Sequence, residues 1–370
     1  MQVPVRLVLL LRPQVSPGVM LATAFSTIVF TATPFLIPLV ADEYDVGLAF
    51  ASLVGTTQLA GFVVGSWGSG RFLRPRRRVF VAAMVVAVAA NLLASPVPPL
   101  YLLLLLRFVS GVSLGLISWF GWVQVFGDER RMGDIATIGP VVGIVSAPLV
   151  ALVAVRGGMA EVFLFLGLLA VAPLIFNRGS GATEQVPERT ERSRAVPAAR
   201  VMLLLLGLFT TGGSAVFQFA VVIADRELGL TAATVAIAFS LNAVVGVPAA
   251  RYSGPRPWPG VWMMGTAGCA FLVGLVNVAP VFFVAVIMWG FFFWMGIPGV
   301  FKVLADRSVN PEDRAGDAQA VMATGRVIGP FVGGALLDTG GAATLGLAGG
   351  TMMLAAGVGV FAVRVLIPPQ

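Results

Sequence analysis

Apolar runs of about twenty residues alternate with short polar joints along almost the whole chain. About 20 apolar residues in helical conformation cross the hydrocarbon of a bilayer. The pattern predicts helices near 18–40, 46–68, 79–95, 98–126, 133–155 and 160–176, then 201–224, 231–250, 260–278, 280–303, 317–337 and 342–364. One long polar stretch interrupts the series, Asn177 to Arg200, reading NRGSGATEQVPERTERSRAVPAAR. Its Pro, Gly, Ser and mixed charge predict a flexible linker. The expected architecture is therefore an all-α integral membrane protein of about twelve transmembrane helices. Two six-helix halves, 1–176 and 201–370, are joined by a cytoplasmic linker at 177–200.

Composition agrees with lipid as the solvent. The 370 residues are 58% hydrophobic and 11% charged, with a mean hydropathy of +0.95. A soluble protein of this size could not cover so much apolar surface. The formal charge of +7 does not imply nucleic acid, because almost all Lys and Arg fall between the apolar runs. With both termini in the cytoplasm, Arg156 and Arg226 lie outside and Arg107 and Arg326 within spans, leaving the other twenty of the 24 basic residues inside. The inverted topology would export that charge, so both termini are expected to be cytoplasmic, in the cell membrane. Residues 1–17 read as a short lead into the first helix, with no cleavable signal expected. The chain has no His and one Cys, Cys269, which excludes an intrachain disulfide and leaves no basis for a Cys/His metal site. No cofactor is expected, and the protein reads as a monomer whose partners are a small molecule and the bilayer.

The halves repeat one another. Ala41-Asp42-Glu43 followed by Gly47-Leu48 returns as Ala224-Asp225-Arg226 followed by Gly229-Leu230. Ile138-Gly139-Pro140-Val141-Val142-Gly143 returns as Ile328-Gly329-Pro330-Phe331-Val332-Gly333. Each hexapeptide follows an Arg-x-Gly-Asp, at Arg131 to Asp134 and at Arg314 to Asp317. Three matches in the same order suggest a duplication, and parallel repeats are one transporter architecture, with substrate bound between the halves.

In the fourth predicted helix, Arg107 with Gly111 and Gly115 forms R-x-x-x-G-x-x-x-G. Small residues four apart let helices approach closely, and an arginine among leucines is too costly to be idle. The loop from Ser66 to Arg78 holds Gly70, Arg71, Arg74, Arg76 and Arg77 in an arrangement like G-x-L-x-D-R-x-G-R-R, without its acid or two of its glycines. On these motifs the chain resembles the major facilitator superfamily over nearly its whole length. The resemblance implies helices one, four, seven and ten around a central pore. It gives Arg71, Arg107, Gly111 and Gly115 gating or packing roles. Gly139, Pro140 and Gly143 resemble the Gly-Pro motif of the drug and sugar efflux antiporter branch, though Ile144 replaces a usual glycine. Gly329 and Pro330 form a second copy in the other half. Both proline sites are expected to bend their helices.

No carboxylate falls near the middle of a predicted span, so a proton carrier has to be an edge acid. Asp134 and Asp317, at equivalent repeat positions, are the proton-coupling candidates, although an acid at a helix start also satisfies the dipole. Thr27, Thr31, Arg107, Gln218, Trp289, Trp294 and Arg326 are the candidate cavity residues. Two guanidinium groups suit an anionic or hydrogen-bonding neutral substrate. The cluster from Trp289 to Trp294 offers apolar surface for an amphipathic ligand, or for packing between helices. The expected function is secondary active transport by alternating access, as proton-coupled export of a small amphipathic compound. The alternatives are a uniporter or symporter for a sugar or small organic anion, and a sensor of the same fold that moves nothing. An enzyme is not expected, for want of buried acid, base or metal ligands, and no nucleotide-binding loop points to ATP-driven transport.

Overall fold

A computed structural model describes residues 16–125, 129–176, 195–252, 254–308 and 311–367. The helical elements are α1 (Pro17–Tyr44), α2 (Leu48–Ala51), α3 (Leu53–Phe72), α4 (Arg77–Ala94), α5 (Leu100–Val125), α6 (Glu129–Leu169) and α7 (Ala172–Ile175). They continue as α8 (Pro197–Phe217), α9 (Ala220–Leu228), α10 (Ala232–Arg251), α11 (Pro259–Leu275), α12 (Ala279–Ala305) and α13 (Pro311–Leu366). Among the described residues, 9 helices are long and apolar enough to cross a membrane, and α11 is an apolar helix of 17 residues. Two of the nine are double: α6 breaks at Gly158 and α13 at Gly341. Taken with those breaks, the helices reproduce the twelve predicted spans, so the chain is an all-α, multi-pass membrane protein.

Both breaks use glycine for a physical reason. Gly158 has φ 69° and ψ −154°, and Gly341 has φ 72° and ψ −174°. That backbone region is open essentially to glycine alone. The two breaks also give the repeat its register. Asp134 stands 24 residues before Gly158, and Asp317 stands the same 24 before Gly341. Gly139, however, lies 19 residues before its break and Gly329 only 12. The repeated hexapeptides are therefore about two helical turns out of step. Pro330 corresponds instead, within one residue, to Pro148, which also lies inside its helix.

By contact the chain divides into two compact units, 1–32 with 60–188 and 33–59 with 189–370. The boundary differs from the sequence expectation in one segment, 33–59, which joins the second unit. Specific bonds hold it there. The backbone N–H groups of Leu48 and Ala49 donate to the Asp338 carboxylate at 3.1 and 2.9 Å. These are free donors at the start of α2, whose N-cap residue Gly47 supplies no side-chain bond. The Thr56 hydroxyl donates to the Val327 carbonyl at 3.2 Å, and Phe35 meets Phe239 edge to face at 5.8 Å. Most of the predicted linker lies outside the described residues; its last residues already belong to α8, which starts at Pro197.

Glycine seams bring the helices together. In the first unit, a Cβ on Gly115 would run into the backbone of Phe62 and Ser66, and one on Gly61 or Gly65 into the backbone of Phe108 or Val112. So α3 and α5 lie backbone to backbone, the close approach expected of small residues four apart. In the second unit, Gly325, Gly329 and Gly333 present the same spacing to Gly207, Thr211 and Ala215 of α8. Large apolar side chains such as Leu105 and Val155 in the first unit, and Leu204 and Val284 in the second, are more than half exposed. In water that surface would drive aggregation; in lipid it is solvated.

Candidate substrate cavity

The second unit holds an open cavity of about 280 Å³. Its walls come from α8 (Phe209, Thr210, Gly213, Ser214, Phe217), Gln218 just after it, and Asn242 of α10. Trp289, Gly290, Phe293 and Trp294 of α12, Arg326 and Met353 of α13 complete it.

Helix periodicity explains why these residues meet. Residues four apart share a helix face, and Phe209, Gly213 and Phe217 form one such row beside Thr210, Ser214 and Gln218. The hydroxyls are satisfied within the protein: Thr210 donates to the Leu206 carbonyl at 2.9 Å, and Ser214 to the Thr210 carbonyl at 2.8 Å. Helix α8 then stops at Phe217 and α9 begins at Ala220, leaving Gln218 and Phe219 as a turn inside an apolar span. Non-helical backbone at membrane depth is tolerated where protein or a cavity surrounds it. The Gln218 side-chain carbonyl oxygen is buried and accepts no hydrogen bond among the described residues.

Aromatic rings form the walls in two groups. Phe217 stacks on Phe239 at 5.1 Å and meets Trp289 at 5.4 Å. Phe293 stacks on Phe209 at 6.3 Å and meets Trp294 edge to face at 5.6 Å. Glycines make room for the larger rings. The Trp294 indole lies 2.9 Å from where a Cβ on Gly246 would be, and a Cβ on Gly290 would strike the Asn242 carbonyl. Asn242 itself donates from its amide to the Val286 carbonyl at 2.6 Å. The aromatic run in α12 thus divides: Trp289, Phe293 and Trp294 face the cavity, whereas Phe291 and Phe292 pack on Trp262 at 6.0 and 6.2 Å.

Of the residues predicted for a cavity, Gln218, Trp289, Trp294 and Arg326 line this one. Arg326 is exposed and, among the described residues, is the single charged lining residue, with no carboxylate beside it in the lining. Thr27, Thr31 and Arg107 belong to the first unit and take no part. The Thr27 and Thr31 hydroxyls donate to carbonyls of their own helix, and Thr31 also accepts from Ser146 at 3.2 Å. Arg107 is 1% exposed, its guanidinium 5.5 Å from the Phe163 ring centroid. Sequence reading missed Phe209 and Phe217, which the four-residue spacing on α8 would have disclosed.

The motif residues take packing positions. Gly115 and Gly329 sit in the two seams, Gly111 is buried, and Pro140 and Pro330 lie within helices. Gly139 has only ordinary room to spare beside the Thr27 hydroxyl, 3.8 Å from its would-be Cβ, and the Gly143 carbonyl accepts from Ser146 at 3.4 Å. The Arg71 and Asp134 side chains lie outside the described residues. Asp317 pairs with Arg314 at 2.6 Å. Among the described residues, no group of three or more His, Cys, Asp or Glu is placed to hold a metal ion.

Comparison with known proteins places this geometry. An uncharacterized MFS-type transporter of Bacillus subtilis (strain 168), YtbD, is 23% identical over 375 residues, covering 91% of this chain and 93% of that protein. The crystal structure of the human organic anion transporter MFSD10 (TETRAN) aligns with a TM-score of 0.65 at 14% identity, over 93% of this chain and 98% of that one. A bacterial homolog of the human lysosomal transporter Spinster, inward-facing and occupied, aligns with a TM-score of 0.69 at 13% identity, over 98% and 96% of the two chains. The sequence profile of the Major Facilitator Superfamily matches residues 19–334, which is most of the chain and includes the greater part of the cavity, and the protein belongs to that superfamily.

Proposed function

We propose that the protein works by alternating access as a proton-coupled exporter of a small amphipathic compound, from the cell membrane and with both termini in the cytoplasm. It acts as a monomer of two six-helix halves, 1–176 and 201–370, joined by a cytoplasmic linker at 177–200. The observation that carries the cargo reading is the cavity of the second unit, walled by Phe209, Phe217, Trp289, Phe293 and Trp294 beside a turn that interrupts its helix. Small-molecule sites are mostly apolar with a few placed polar groups, and broken membrane helices are where transporters hold substrate. Export by antiport rests on the Gly139-Pro140 resemblance. Proton coupling falls to Asp134 and Asp317, the second of which pairs with Arg314.

The test is flux. Purified protein is reconstituted into liposomes holding a pH-sensitive dye, a proton gradient is imposed, and pools of lipophilic drugs, sugars and organic anions are added. Dissipation of the gradient by one pool, lost in Asp317→Asn, is the expected result. Labelled compound that equilibrates with no proton movement would replace the antiporter with a facilitator. Binding with no flux of any kind would leave a sensor.

A further inference from the structure

We propose that the cavity of the second unit selects an amphipathic organic anion: its oxyanion pairs with Arg326 and its apolar body lies between the Phe217–Trp289 and Phe293–Trp294 walls. This rests on the transport reading of the same cavity and adds the sign of the cargo's charge.

A guanidinium carries five N–H groups and keeps its charge, and a cation inside a membrane span is costly unless it is paired. Other arginines use their donors within the protein. Arg256 donates to the Ala249 carbonyl at 2.9 Å, Arg307 to the Arg364 and Ile367 carbonyls at 2.9 and 2.8 Å, and Arg314 pairs with Asp317. Arg326 differs: among the described residues it makes no hydrogen bond and no ion pair, and it is exposed where it lines the cavity.

The rest of the lining fixes the sign. Among the described residues no Asp or Glu lines the cavity, so an ammonium-bearing ligand would meet an uncompensated positive charge. A carboxylate or similar oxyanion would meet a planar fork matched to its two oxygens. Gln218 adds a second polar demand, since its buried carbonyl oxygen wants a donor such as a hydroxyl or amide N–H. The remaining walls are ring faces and Met353, which suit a flat apolar body. At about 280 Å³ the cavity lies at the lower end for small-molecule sites, so the ligand is small.

A matched series separates charge from shape. Full-length protein in nanodiscs is titrated by calorimetry with 2-naphthoate, the uncharged 2-naphthamide and the cationic 2-naphthylmethylammonium. The expected order is carboxylate over amide by about tenfold or more, as a charge-assisted hydrogen bond implies, with no measurable ammonium binding. Arg326→Gln should erase the carboxylate preference and keep amide affinity, with an unchanged elution profile and melting temperature. Trp289→Leu should weaken carboxylate and amide together. The proposal is overturned if the three compounds bind alike, if none binds, or if the preference survives Arg326→Gln. Liposome flux of labelled 2-naphthamide and of the lipophilic drug pool distinguishes the two levels. Movement of either uncharged or cationic cargo, with no carboxylate preference, removes the anion assignment and leaves the transporter. No flux of any compound removes the transporter reading itself.

Discussion

Arg107 and Arg326 each interrupt an apolar helix that also carries glycines four apart, yet their surroundings are opposite. In the first unit Arg107 is sealed at 1% exposure, its guanidinium 5.5 Å from the Phe163 ring centroid. In the second, Arg326 follows Gly325, the residue packed against Gly207 and Thr210. One residue further along a helix is about 100° further round it, so the side chain leaves the seam and reaches the cavity. A charge in a span is thus a question whose answer lies in its neighbours. Beside the Phe163 ring it is sealed from solvent, and beside the aromatic cavity it is exposed.

Charge reversal should split the pair most sharply. Arg107→Glu puts a carboxylate over a ring face in a sealed site, and an uncompensated buried charge is worth about 3–5 kcal/mol. Arg326→Glu alters an exposed group, for which about 1 kcal/mol or less is expected. Melting temperature and monodispersity in detergent measure both. The comparison breaks if Arg107→Glu elutes and melts like the parent.

A smaller change probes the close approach of α3 to α5, the helix that carries Arg107. Gly115→Ala places a methyl against the backbone of Phe62 and Ser66, where neither side can rotate away. Overpacking of this kind costs about 1–3 kcal/mol. Gly139→Ala is the control, because its nearest neighbour would be the Thr27 hydroxyl at 3.8 Å. There the gain in helix propensity, about 0.5–1 kcal/mol, should prevail and raise the melting temperature. Equal loss in both variants would mean that the α3–α5 seam is no tighter than the Gly139 site.

These contrasts mark what the sequence could disclose. The spans were legible because a bilayer demands about twenty apolar residues from each, and the break at Gly158 falls between two of the spans predicted from hydropathy alone. The turn at Gln218 and Phe219 was not legible, since neither residue is a Pro or Gly. Gly61 and Gly65 went unnoticed as the other side of the Gly115 seam, because a seam shows only when two helices are placed together. The repeated Gly-Pro hexapeptide misled on register, while the plainer Asp134 and Asp317 kept it. Helices apolar all round give no phase, so nothing in the chain order told Arg107 from Arg326.

The same lesson applies to the acids, where the expected effect is smallest. Asp317 and Asp338 both stand near ends of the segments in α13, but one binds a guanidinium and the other binds backbone. Asp338 accepts from Leu48 and Ala49 at the start of α2, doing for that helix what its own Gly47 cannot. Removing a cap of this kind costs about 0.5–2 kcal/mol, so Asp338→Ala should lower stability by about 1 kcal/mol. Asp338→Asn, whose side-chain oxygen still accepts one bond, should lose less. Hydrogen exchange gives the more direct reading, with the Leu48 and Ala49 amides losing protection in Asp338→Ala while amides in the middle of α5 do not. Unchanged protection at those two amides would mean that 33–59 is held to the second unit without Asp338, by contacts such as the Thr56 bond, the Phe35–Phe239 pair and the close approach of Gly334 to Leu48 and Ala49.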